Sequence, residues 1–132
     1  MACFLVSTAE AIVVTAIEKS QKKKEAKIEL EGGTTPETDK IPWSRKFHWL
    51  ACMLWGGVII LAFEHIWHGE VVPWPPFLTA MADPGDTAEM LQEMGTVGVS
   101  MAILMTVIWL VVINVADAIV KRNPAPEVDT AA

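Results

Sequence analysis

The chain has 132 residues, 52% of them hydrophobic and 20% charged, with six Trp, no Tyr and a formal net charge of −6. One soluble domain would fit that length. However, 17 consecutive residues between Lys46 and Glu64 and 23 between Glu93 and Asp117 carry no formal charge, and such runs are membrane-helix candidates. The acidic balance argues against a nucleic-acid partner, which asks for a basic footprint; Cys3 and Cys52 lie inside apolar segments, which implies no disulfide scaffold.

In the first apolar segment, residues 2–17, the lysines follow the apolar run (Lys19, Lys22, Lys23, Lys24, Lys27). That is the reverse of a secretory signal. On a helical wheel Ser7, Thr8, Glu10, Thr15 and Glu18 share an arc of roughly 160°. The segment therefore reads as a mildly amphipathic helix with its polar face turned into a bundle or toward headgroups. Its length of about 25 Å is marginal for crossing a bilayer; a spanning helix is expected, with an interfacial helix as the alternative. Good helix formers extend it to give a helix over 2–31, and Gly32-Gly33-Thr34-Thr35-Pro36 opens a flexible linker over 32–42.

A second helix is expected over 45–68, with Ser44 as its N-cap and with Trp43 and Trp49 suited to a membrane interface. Gly56-Gly57 near its middle would let neighbouring helices approach closely in lipid. Pro73, Pro75 and Pro76 keep the following segment from forming a regular helix, so 69–86 is expected to be a stiff loop on the membrane surface. Asp86 and Glu89 have capping-box spacing, which places the third helix at 87–121. On it, Gly95, Gly98 and Ala102 make a small-residue strip, and Thr96, Ser100 and Asn114 share a face able to bond to helix one or two. Asp117 and Lys121, four apart, suggest a salt bridge. The tail, 123–132, is expected to be disordered.

Eight of the ten Lys and Arg lie between the first two apolar segments, 2–17 and 47–67, and Lys121 and Arg122 follow the third, whereas residues 66–91 contain none. The positive-inside rule then places the basic loop and the C-terminus in the cytoplasm and the N-terminus and the 69–86 loop outside. The Lys22-Lys23-Lys24 run is accounted for as a topogenic signal touching anionic lipid.

Two places invite chemistry. Glu10 sits near the centre of the first apolar segment, where an ionisable group is a proton- or cation-site hypothesis; the plainer reading is a protonated carboxyl, or one bonded to Ser or Thr on a neighbouring helix. Glu64, His65 and His68 stand at i, i+4 and i, i+3 spacings near the end of helix two, so a pair of them suits a divalent metal. A closed site needs a third ligand, with Glu70, Glu89, Glu93 or a second protomer as options; the plainer reading is an interfacial His pair. His48 and His65 are about 25 Å apart along a helix, too far to ligate one haem. Met90, Met94, Met101 and Met105 form one helical stripe, for which packing is the better reading and Cu(I) the weaker one. No Ser-His-Asp arrangement, phosphate loop or nucleotide fingerprint is visible, so an enzyme is not expected.

The runs Met1-Ala2-Cys3-Phe4-Leu5-Val6, Ala9-Glu10-Ala11-Ile12-Val13, Met53-Leu54-Trp55-Gly56-Gly57, Phe63-Glu64-His65 and His68-Gly69-Glu70-Val71-Val72-Pro73 resemble short three-helix membrane proteins of anaerobic bacteria, a group with no known activity. The resemblance covers most of the chain. It implies a bacterial cytoplasmic-membrane setting and transfers no functional residue. The expectation is thus an all-α integral membrane protein, a single domain over 1–122 with three transmembrane helices. Its function is expected to be that of a non-enzymatic scaffold or accessory subunit, self-associated or bound to a larger membrane partner. The rival is a proton- or metal-handling transport component built on Glu10 and the Glu64, His65 and His68 cluster.

Overall fold

The computed structural model of the protein describes residues 2–32 and 41–122. Most of the expected linker and the whole of the expected tail lie outside the described residues. Among those described there is no strand, and three long helices follow one another: α1 (Phe4–Leu30), α2 (Trp43–Trp67) and α3 (Pro84–Arg122). The third is α-helical over Pro84–Glu93 and Val99–Arg122, with a π-helical turn at Met94–Gly98 between them.

The helix ends follow from local chemistry. Gly32 and Gly69 adopt left-handed φ values of 71° and 74°, the conformation that stops a helix and that glycine enters without strain. At Gly69 the backbone N–H groups of Gly69 and Glu70 bond to the Ile66 and His65 carbonyls at 3.0 Å, which closes the last turn of α2. Helix α3 starts three residues before the expected position. Asp83, not Asp86, is the N-cap, accepting from the Gly85 N–H at 2.7 Å, and Pro84 supplies a pre-set φ in the first turn. Ser44 is likewise not the cap of α2, which begins at Trp43 after Pro42. The Ser44 hydroxyl and N–H instead both donate to the Glu25 carboxylate of α1, so a carboxylate from the neighbouring helix serves the free N–H groups of this helix start.

Helices α1 and α2 form a full-length antiparallel pair, as contacts from Cys3–His65 through Trp55–Thr15 and His48–Glu18 to Ser44–Glu25 show. Helix α3 runs parallel to α1. Its Gly98 lies against Val6 and Cys3, Thr106 against Glu10, and Asp117 against Lys46 of α2. The main core is Ala11, Val14, Leu50, Ala51, Leu54, Trp109 and Ile113. Trp109 stacks on Phe47 with ring centres 5.6 Å apart and donates its indole N–H to the Lys46 carbonyl at 2.8 Å. A second cluster joins Ala2, Ala80 and Met90. The 69–83 segment folds back through a Val71–Leu78 bridge and a short 3-10 turn, Thr79–Ala82, and its Ala80 packs against Ala2 at the start of α1.

Length and apolarity single out α2 and α3 as candidate membrane spans. Helix α1, whose apolar half ends at Glu18, is not among them. Only 28% of the apolar window of α2 and 17% of that of α3 are buried in the bundle. Ile59, Ile60 and Phe63 are 66%, 70% and 65% exposed, while Lys46 and His65 are 3% and 8% exposed. Such an inverted distribution is the opposite of what water favours.

Candidate functional site

Polar side chains meet between helices at three levels. At the loop end, His65 is buried between α1 and the 69–83 segment. Its Nδ1–H donates to the Leu61 carbonyl at 2.7 Å, and Nε2 faces Cys3 Sγ at 3.6 Å and Glu70 Oε2 at 3.7 Å. Phe4 meets the ring edge-on at 5.2 Å. Glu64 and His68 are exposed, yet both line the same cavity as His65, about 260 Å³ in volume, together with Cys3, Glu70 and Met101. The three residues expected at this position are thus neighbours. Among the described residues no three His, Cys, Asp or Glu side chains form a ready metal-holding group.

At mid-length, Glu10 reaches α3. Thr106 donates its hydroxyl to Glu10 Oε1 at 2.6 Å, and Oε2 is buried with no hydrogen-bond partner among the described residues. The polar arc of α1 is accordingly turned into the bundle, with Ser7, Ala11, Val14 and Glu18 as its buried positions. From Thr106 it is about 12 Å back to Gly98 and about 16 Å on to Asp117 at 1.5 Å per residue. Glu10 is therefore close to midway between the two ends of the packed region.

At the lysine end, Glu18 accepts from Lys22 Nζ at 2.6 Å and from His48 Nδ1–H at 3.0 Å, and His48 Nε2 accepts from the Cys52 thiol at 3.6 Å. The Lys22 ammonium first, and then His48, hold the Glu18 carboxyl below the usual carboxylate range against the opposing effect of burial. One turn further, buried Lys46 pairs with Asp117 at 2.8 Å and lies 4.7 Å over the Trp43 ring. Asp117 thus bridges helices through Lys46 and does not pair with Lys121, because an ammonium already held inside the bundle is the stronger partner.

Several other expectations need correcting. Thr96, Ser100 and Asn114 do not join α3 to α1 or α2. They are exposed and bond to carbonyls four residues back on their own helix, those of Gln92, Thr96 and Leu110. A Cβ added at Gly56 or Gly57 would meet nothing within 4 Å, whereas one at Gly98 would meet Val6 Cγ2 at 2.9 Å. Close helix approach is therefore at Gly98. The methionine stripe packs as expected at Met90, Met94 and Met105, and Met101 lines the loop-end cavity. The chain of contacts from Glu18 through His48 to Cys52 was missed because its members lie on two helices; the i, i+4 spacing of His48 and Cys52 was its only sequence signal. No family model, no curated protein and no solved structure matches the chain.

Proposed function

We propose that the protein is a multi-pass subunit of the bacterial cytoplasmic membrane, with all three helices in the bilayer, the N-terminus outside and the C-terminus in the cytoplasm. In this reading it is a non-enzymatic scaffold or accessory component of a larger membrane assembly or of its own oligomer. The observation that carries the reading is the placement of particular side chains: Glu18, Lys46 and His65 are buried between helices while many large aliphatic groups, Ile59, Ile60 and Ile103 among them, face outward, an arrangement that lipid favours. The apolar part of helix α1, within residues 2–17, belongs in the bilayer because it runs beside α2 from His65 to Trp55, and Thr106 of α3 donates to its Glu10 there. A partner is favoured by the outward groove on α3 lined by Thr96, Val97, Ser100, Met101 and Leu104, since small side chains such as Thr and Ser let an adjacent helix approach closely.

Two measurements test this. Cysteines placed at Thr79 or Thr87 should react with an impermeant thiol reagent in intact cells, and Thr34→Cys should react only after permeabilisation; labelling of Thr34→Cys in intact cells would overturn the orientation. A photo-crosslinking residue at Ser100 or Leu104 should give one discrete protein adduct in native membranes. Adducts to lipid alone would remove the scaffold reading. A second reading, proton or metal-ion handling through Glu10 and the Glu64, His65 and His68 cluster, is favoured by the buried, unpartnered Glu10 Oε2. Under it, liposome flux should be lost in Glu10→Gln.

A further inference from the structure

We propose that Cys3, His65 and Met101 form a binding site for a soft monovalent metal ion, Cu(I), in the loop-end cavity. This goes beyond the accessory-subunit reading and does not depend on it. The cavity of about 260 Å³ brings a thiol, an imidazole and a thioether to one space, and two carboxylates, Glu64 and Glu70, line it as well. The imidazole is prepared for ligation. Its Nδ1–H is committed to the Leu61 carbonyl at 2.7 Å, the outer-shell hydrogen bond that orients metal-bound histidines, and the residue is only 8% exposed.

The distance between Cys3 and His65 suits a shared ion. With metal–nitrogen and metal–sulfur bonds of about 2.0 and 2.3 Å, the 3.6 Å between His65 Nε2 and Cys3 Sγ corresponds to an angle at the metal of roughly 115°. That lies between tetrahedral and trigonal. Met101 lines the same cavity and offers a third donor, and a thiolate, imidazole and thioether set is the soft combination that suits Cu(I). Binding replaces the S–H···N contact: the thiol proton leaves to solvent, the thiolate and Nε2 each donate a lone pair to the ion, and no electron is transferred. The Glu64 and Glu70 carboxylates draw a cation into the cavity. Sequence spacing alone pointed to Met90, Met94, Met101 and Met105 as a stripe; the fold takes Met101 from that stripe and sets it in one cavity with Cys3 and His65 from two other helices.

The test uses the full chain in lipid nanodiscs under anaerobic conditions, titrated with Cu(I) against a chromogenic Cu(I) chelator. One Cu(I) per chain is expected. Cys3→Ser should weaken binding at least about 100-fold and Met101→Leu about 10-fold, since losing a ligand should cost no less than the roughly 10–100-fold of losing an outer-shell partner; Cys52→Ser should leave it unchanged. X-ray absorption at the copper edge of the wild-type protein should show mixed sulfur and nitrogen ligation, a readout that needs no variant to fold. The proposal is overturned if the wild type takes up no Cu(I) or if Cys3→Ser keeps full affinity. Loss of the ion in Cys52→Ser, or binding of Zn(II) in preference to Cu(I) in a way that depends on Glu70, would overturn it equally.

Discussion

Replacing Lys46 by Met keeps most of the side chain's volume and removes its charge, and it isolates the role of the Lys46–Asp117 pair. Lys46 is 3% exposed and Asp117 is 26% exposed at the side chain, with 2.8 Å between Nζ and Oδ2. Breaking a fully buried pair from one side costs about 3–5 kcal/mol. Asp117 keeps part of its hydration, so the ion-pair loss in Lys46→Met falls at the low end, about 2–3 kcal/mol. The ammonium over Trp43 contributes roughly another 0.5–1 kcal/mol. The reverse change, Asp117→Leu, strands the more deeply buried charge and should cost more, about 4 kcal/mol or above. The double variant, Lys46→Met with Asp117→Leu, should recover most of the loss, because an apolar pair of similar volume needs no compensation. Equilibrium unfolding in mixed micelles with increasing SDS, followed by Trp fluorescence, reads all four proteins. If both single variants lose less than about 0.5 kcal/mol and their effects simply add, the pair behaves as an exposed one, and the packing of α2 on α3 described above is wrong.

Two further outcomes follow from single contacts. Gly98→Ala places a Cβ 2.9 Å from Val6 Cγ2 and 3.1 Å from the Cys3 carbonyl, so it should destabilise the protein by about 1–3 kcal/mol in the same unfolding assay, while Gly56→Ala, with open space, should not. Glu18 lies outside the proposed spanning part of α1 and is held ionised chiefly by Lys22. A carboxyl lowered by folding stabilises the native state above its unfolded value of about 4.3 and loses that contribution as pH falls through the lower folded value. The stability advantage of the wild type over Glu18→Gln should therefore be full at neutral pH and shrink as the pH drops below about 4; an advantage constant across that range would show that Glu18 acts without its charge.

Helix number and approximate extent were legible because two long uncharged runs and a chain of good helix formers carry that information residue by residue. The polar arc of α1 was legible too, since Ser7, Glu10, Thr15 and Glu18 keep helical spacing whatever they touch. What could not be read was which partner each polar residue would choose. Asp117 had Lys121 one turn away and took Lys46, 71 residues distant in sequence. Ser44 looked like a cap by type and position, and its hydroxyl was taken by Glu25 of α1. Asp83 outcompeted Asp86 because Pro84 follows it, a local signal that was present in the sequence but weighed less than the Asp86–Glu89 spacing. The loop-end cavity draws Cys3, His65 and Met101 from three helices, and no periodicity within one helix can report such a meeting.

In the proposed bilayer setting, apolar packing does little to choose a register between helices, because the surroundings are as apolar as the helices themselves. Here each helix pair is instead keyed by polar contacts at separate levels: Cys3–His65, Glu18–His48 and Glu25–Ser44 between α1 and α2, Glu10–Thr106 between α1 and α3, and Lys46–Asp117 between α2 and α3. Glu18 and Lys46 each meet an oppositely charged partner, Lys22 and Asp117, whereas among the described residues Glu10 meets only a hydroxyl. A carboxylate near a helix centre costs about 2.5–3.5 kcal/mol to insert, and one interhelical hydrogen bond in a membrane returns only about 0.6–1.7 kcal/mol. Thr106 satisfies one oxygen, and the other is buried without a partner, so the bond does not offset the insertion cost. Register alone would be served as well by a Gln at this position, which supplies the same acceptor without an ionisable group. A Glu10→Gln protein that folds like the wild type, or better, would show that the carboxyl is kept for something other than packing; one that folds worse would return Glu10 to the set of contacts that merely align the helices.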